Sequence, residues 1–270
     1  MAGKRKFLAH GALVMLLAIA SSTAGAAVVD LTTANSSGTI NGAIYQQVDP
    51  SSTGTGVIDS FAQIGAANQT TVQGYNTTVN GTFDNGAADN FNHSITLSAV
   101  PVVDLSGVLY RQFLLDINEN NNASGDQYLS IDDLQLFVGG TVNSSVETLT
   151  AGVLDHDGTL VYRMDAGGDN WVALNYALNT GSGSGDMFLY IPDSLFAGFQ
   201  STDVITLYSH FGGAGVDPTG FTGNFSNSDG FEEWAVLTGQ TVIPEPTTIS
   251  LLGLGLAGLF VRRAKRSIKN

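Results

Sequence analysis

No cysteine occurs anywhere in the 270-residue chain. That absence excludes a disulfide framework, a zinc–thiolate site and a thiol nucleophile, so stability must come from the core, helped at most by a metal bound through other ligands. Between Ala27 and Ile243 there is no lysine either. A Schiff-base lysine, a P-loop lysine and a Ser/Lys hydrolase are thereby removed. Basic side chains of any kind are scarce in that stretch, where Arg111 and Arg163 stand against all but one of the chain's 24 acidic residues. Such a body repels nucleic acid and anionic lipid, because both are bound through Lys and Arg on phosphate. No nucleic-acid partner is expected; divalent cations, or a role as a self-repelling coat, suit the charge better.

Helical periodicity is also nearly missing. What recurs is period-two alternation between clusters of Gly, Asn, Asp and Ser: Ile95-Leu97-Ala99, Phe113-Leu115-Ile117, Val172-Leu174-Tyr176, Met187-Leu189-Ile191, and Ile205-Leu207 leading to Phe211. Many short strands joined by turns predict an all-β fold, an antiparallel β-sandwich or jelly-roll-like ectodomain. A helical turn is predicted where Ile191-Pro192-Asp193-Ser194 leads into Leu195-Phe196. The Asn/Thr/Gly-rich region 68–90 reads as long loops or an edge hairpin. Residues 113–138 read as two strands joined by a polar loop. Within the second, the apolar phase slips between Leu129-Ile131 and Leu134-Leu136-Val138, which predicts a bulge near Asp132-Asp133. Asp155-His156-Asp157-Gly158 reads as a hairpin turn.

The basic residues gather at the two ends. Lys4-Arg5-Lys6 precede an apolar run from Phe7 to Ala20 and then small residues ending in Ala24-Gly25-Ala26. This is the layout of a signal peptide, expected over residues 1–26 as a helix handled by secretion machinery and signal peptidase. At the other end, Pro244-Glu245-Pro246 precede an apolar stretch and then Arg262, Arg263, Lys265 and Arg266. A short transmembrane helix is expected over 247–261, although a comfortable span needs about 20 apolar residues. The positive-inside rule keeps the basic cluster cytoplasmic and the body outside. Three parts follow: the signal (1–26), an acidic β-sandwich ectodomain (27–241) and the tail (242–270). Gly253, Gly255 and Gly258 formally spell a dinucleotide fingerprint, but they lie inside the apolar run and read as small residues of a membrane helix.

This tripartite tail resembles the sorting segment of PEP-CTERM proteins, which occur in exopolysaccharide-producing Gram-negative bacteria. The resemblance covers Val242 to Asn270, with Pro244, Glu245 and Pro246 as the signature and Arg262, Arg263, Lys265 and Arg266 as the membrane stop. It implies an exosortase-type membrane protease that recognises and removes the tail after a transient tether at the inner membrane. The body would then reach the cell surface or the exopolysaccharide-containing extracellular matrix. The body itself, on residues 113–138, Leu189-Tyr190-Ile191-Pro192 and Phe231-Glu232-Glu233-Trp234, is similar to the ectodomain of one group of these proteins. That likeness carries no biochemical activity with it.

Candidate sites within the body are few. Asp116, Asn118 and Asn120 follow the D-x-N-x-N start of a calcium loop, and Asp126 lies close behind. Carboxylates and amides of this kind suit calcium, but Asn121 and Gln127 occupy the positions where an EF-hand loop has Gly and Glu. The competing reading is a solvated acidic hairpin that avoids edge aggregation. Trp171 and Trp234 are candidates for stacking on sugar rings, against the alternative of core packing. His93, His156 and His210 stand far apart in sequence, and Gly181-Ser182-Gly183-Ser184-Gly185 lacks the central serine of a nucleophile elbow and reads as a flexible loop. The expectation is a non-enzymatic surface or matrix protein. A carbohydrate-binding module is the alternative, and a glycoside hydrolase or lyase comes third.

Overall fold

The computed structural model describes residues 26–48, 58–86, 91–122, 125–181, 183–213 and 224–237. The expected signal helix, the Pro-Glu-Pro motif, the helix 247–261 and the basic tail therefore lie outside the described residues, apart from Ala26. Among the described residues, sixteen strands follow one another. They begin with β1 (Val28–Asp30), β2 (Ser37–Ile40), β3 (Ala43–Gln47), β4 (Ile58–Ile64), β5 (Val72–Tyr75), β6 (Ile95–Thr96), β7 (Val102–Leu105) and β8 (Val108–Asp116). There follow β9 (Tyr128–Val138), β10 (Leu149–Thr150), β11 (Val153–Leu154), β12 (Thr159–Arg163), β13 (Trp171–Asn175), β14 (Met187–Pro192), β15 (Val204–Phe211) and β16 (Glu232–Leu237). Helix among the described residues is limited to short 3₁₀ turns, at Leu97–Ala99, Tyr176–Leu178 and Asp193–Phe196. The last is the helical turn the sequence predicts.

Turn chemistry sets the local pairings. Asn41-Gly42 joins β2 to β3 with φ of 49° and 85°, and Ser106-Gly107 joins β7 to β8 with 57° and 87°. Two positive φ values make the mirror-image turn whose twist matches that of paired strands. Sheet I runs β1-β13-β9-β15-β5, with β12 also on β9 and β6 also on β15. Sheet II runs β2-β3-β14-β8-β16-β4, with β7 also on β8. β10 and β11 form a separate ribbon. The pairings are antiparallel except one: β1 lies parallel to β13, and Ala27 N–H donates to Asn170 Oδ1 at 2.7 Å beside it. An edge strand therefore departs from the expected all-antiparallel pattern.

The sheets close on one core. Tyr45, Phe61, Phe113, Leu115, Leu189 and Trp234 from sheet II join Ile131, Leu134, Leu136, Val172, Leu207 and Phe211 from sheet I in a single buried cluster. This is the sandwich that the period-two alternation predicts. The bulge is there as well: His210 pairs with Asp133 and Phe211 with Ile131, which leaves Asp132 as the extra residue. That insertion returns Ile131 and Leu134 to the same inner face.

Two expectations are corrected. The strands within 113–138 do not form a hairpin, because β8 lies in sheet II and β9 in sheet I. β8 is flanked by β14 on one side and by β7 and β16 on the other, so it has no free edge for β9. The polar loop after Asp116 instead crosses from one sheet to the other. Asp155–Gly158 likewise links two strands with different partners, β11 on β10 and β12 on β9. There Asp157 accepts from Thr141 N–H at 2.8 Å and from its hydroxyl at 2.7 Å, while the His156 side chain is fully buried.

Candidate functional site

The outer face of sheet I carries a cleft of about 740 Å³. Its lining includes Asp132 and Asp133 of β9, Arg163 at the end of β12, Trp171 at the start of β13, Tyr208 and His210 of β15, and the loop residues Asp165 and Asp169. The bulge presents Asp132 and Asp133 in succession, and Asp132 accepts from Gly213 N–H. Asp133 Oδ2 accepts from Gln135 Nε2 at 2.6 Å, while its buried Oδ1 has no hydrogen-bond partner. Burial pushes the Asp133 carboxyl up, and the Gln135 bond and Arg163 pull it back down. Burial also raises Asp165 to about 6, against the bond from Asn170 N–H. Arg163 is the one arginine of this acidic wall. Trp171 is 6% exposed, with its ring edge-on to Phe225 at 5.3 Å.

The two tryptophans are not together. Trp234 is 0% exposed in the core, and its Nε1–H donates to Ser209 Oγ at 2.9 Å. An indole enclosed between two sheets has no face to offer a sugar ring, so the stacking expectation fails for Trp234. Trp171 lies on the opposite, outer side of sheet I, at the cleft.

Where β8 ends, the structure gathers carboxylates that are remote in sequence. Asp116 is 4% exposed and accepts from Gly183 N–H and Gly185 N–H. Ile117 N–H donates to Asp186 Oδ2 at 2.8 Å, and Asn118 N–H donates to Glu232 Oε2 at 3.1 Å. Glu119 Oε2 accepts from both the amide and the hydroxyl of Ser228. Glu232, Glu119 and Asp186 are 0%, 3% and 4% exposed. Burial raises Asp116 to about 6 and Glu119 to about 8. Burial first, then neighbouring carboxylates, pushes Asp186 and Glu232 well above the usual range.

The proposed calcium loop is only partly represented in this cluster. Asn120 turns its amide to Ser228 O at 3.2 Å, and Asp126 accepts from Asn122 at 2.7 Å, so Asp116, Asn118, Asn120 and Asp126 face different partners. Among the described residues, no three His, Asp or Glu side chains are placed as a ready-made metal site. Sequence reading missed Glu119, Asp186 and Glu232. For Glu232 a signal existed: it lies two residues before Trp234 and four before Val236, in phase with the inward face of β16. Glu119 and Asp186 carry no comparable local signal, because remote segments bury them.

Fold and charge define an all-β sandwich with an acidic outer cleft and a buried acidic cluster. Residues 242–266 match the PEP-CTERM protein-sorting motif. That motif implies an exported protein processed by an exosortase-type enzyme. No curated protein and no solved structure matches the chain. Among the described residues, no helix is long and apolar enough to cross a membrane.

Proposed function

We propose that this chain is a structural or interaction protein of the cell surface or exopolysaccharide matrix, released there when an exosortase-type protease removes its tail. The observation that carries this reading is the sorting motif at 242–266 behind an acidic body. Prolines on either side of Glu245 disfavour helix and favour the extended form in which a protease grips a substrate. Arg262, Arg263, Lys265 and Arg266 resist translocation and hold the stop on the cytoplasmic side. The excess of acids over arginines keeps released copies apart. Intact mass and fractionation of the protein from its native cells test both processing steps at once. The expected product lacks residues 1–26 and the tail, and it is found outside the cell. Full-length protein remaining in the membrane fraction overturns the reading.

A second reading, carbohydrate binding, is supported by the cleft on sheet I, where Trp171 and Tyr208 stand among carboxylates and Arg163. Polar groups that hydrogen-bond hydroxyls, beside an aromatic surface, are what a sugar site requires. The same native material serves its test: exopolysaccharide pull-down by wild type but not by Trp171→Ala supports it, and equal recovery of both removes it.

A further inference from the structure

We propose that a divalent cation of the calcium class binds the protein among Glu119, Asp186 and Glu232, beside Asp116, where the chain leaves β8. This goes beyond the sorting and matrix role and does not depend on it. Each of the three carboxylates is held through one oxygen by protein donors: Ser228 for Glu119, Ile117 N–H for Asp186 and Asn118 N–H for Glu232. In each the other oxygen, Glu119 Oε1, Asp186 Oδ1 and Glu232 Oε1, is buried without a hydrogen-bond partner. One oxygen fixed by an amide and one free is the arrangement of a carboxylate oriented as a ligand. Glu232 is the hub, close enough to feel the charges of Glu119, Asp186 and Asp116.

Among the described residues, no Lys or Arg pairs with these carboxylates. Arg111 is occupied by Asp193 at 2.7 Å and by the carbonyls of Leu97 and Val100, and Arg163 lines the cleft on sheet I. No other Lys or Arg lies between Ala27 and Ile243. The ligands are all oxygen and three are carboxylates, which favours calcium; magnesium gives up its water reluctantly and resists a buried site. As placed, the side chains do not yet close on one point. Binding therefore requires these side chains to rotate toward one another from adjacent backbone anchors: Ile117 and Asn118 hold Asp186 and Glu232, and Glu119 is next along the chain.

The test uses the full chain in detergent, stripped with chelator and then titrated with calcium chloride or magnesium chloride. Thermal unfolding is expected to move up by roughly 5–10 °C at calcium concentrations far above the dissociation constant, and much less with magnesium. Glu232→Gln keeps the shape and removes one ligand charge. It should melt at or above wild type in chelator, where repulsion is relieved, and below wild type in calcium. Asp126→Asn, outside the proposed set, should retain the full calcium shift. Metal content after dialysis against micromolar calcium, read by elemental mass spectrometry, should show bound calcium in wild type. It should show none in Glu232→Gln, a readout independent of stability. An unchanged melting curve with no retained metal overturns the proposal, and so does a full calcium shift in Glu232→Gln.

Discussion

His156 shows how a single polar residue is accommodated in this sandwich. Its ring is enclosed by Tyr75 and Phe137, Nδ1 accepts from Gly158 N–H at 3.0 Å, and Nε2 lies 3.4 Å from Thr206 Oγ1. An acceptor at Nδ1 requires the neutral ring, and burial lowers its pKa. The unfolded chain therefore takes up the proton at a higher pH than the folded one. Stability from this residue is full above the ordinary imidazole pKa of about 6.5 and is lost as pH falls below it. Unfolding free energies from urea titrations at about pH 7.5 and about pH 5 should differ more for wild type than for His156→Gln. Parallel pH profiles for the two proteins would refute this role. Trp234 makes the complementary point: its neighbours in sequence, two glutamates, suggest a surface, yet it is enclosed and bonded to Ser209 on the facing sheet.

At the scale of elements, period-two alternation is a local property, and what depended on it could be read from sequence. The sandwich class and the Asp132 bulge are of this kind, and the 3₁₀ turn at Asp193–Phe196 was legible from another local signal, Pro192 with Asp193 and Ser194. Pairing is not local. Nothing within 113–138 reveals that both edges of β8 are taken by strands from elsewhere, so a hairpin was the natural expectation and the wrong one. The acidic cluster was illegible for the same reason, since Asp116, Asp186 and Glu232 meet only once β8, β14 and β16 are side by side. Gly230 shows how tight that junction is. Its φ is 66°, and a Cβ there would lie 2.7 Å from the carbonyl oxygen of Asn118. Gly230→Ala should cost about 1–3 kcal/mol in denaturant unfolding. A variant as stable as wild type would show that the 228–232 segment can move away from the 118–120 turn.

For the whole molecule, a core without disulfides must offset the repulsion of a body whose basic residues are two arginines. The screening length falls from about 10 Å at 0.1 M salt to about 3 Å at 1 M. In chelator, raising sodium chloride over that range should increase the melting temperature by a few degrees, about as much for Asp126→Asn as for wild type. A fall in melting temperature with salt would mean that attractive pairs, such as Arg111 with Asp193, outweigh the repulsion.

The parallel strand at the edge of sheet I bears on the timing of export. β1 stands at the start of the body, yet the bond beside it joins Ala27 to Asn170, 143 positions later. A chain threaded through a membrane N-terminus first delivers β1 long before β13. Sheet I therefore cannot seal its edge until well over half of the body has crossed. Until then the leading strand lacks its partner in sheet I. Completing that edge of sheet I therefore waits on β13, whatever folds before it.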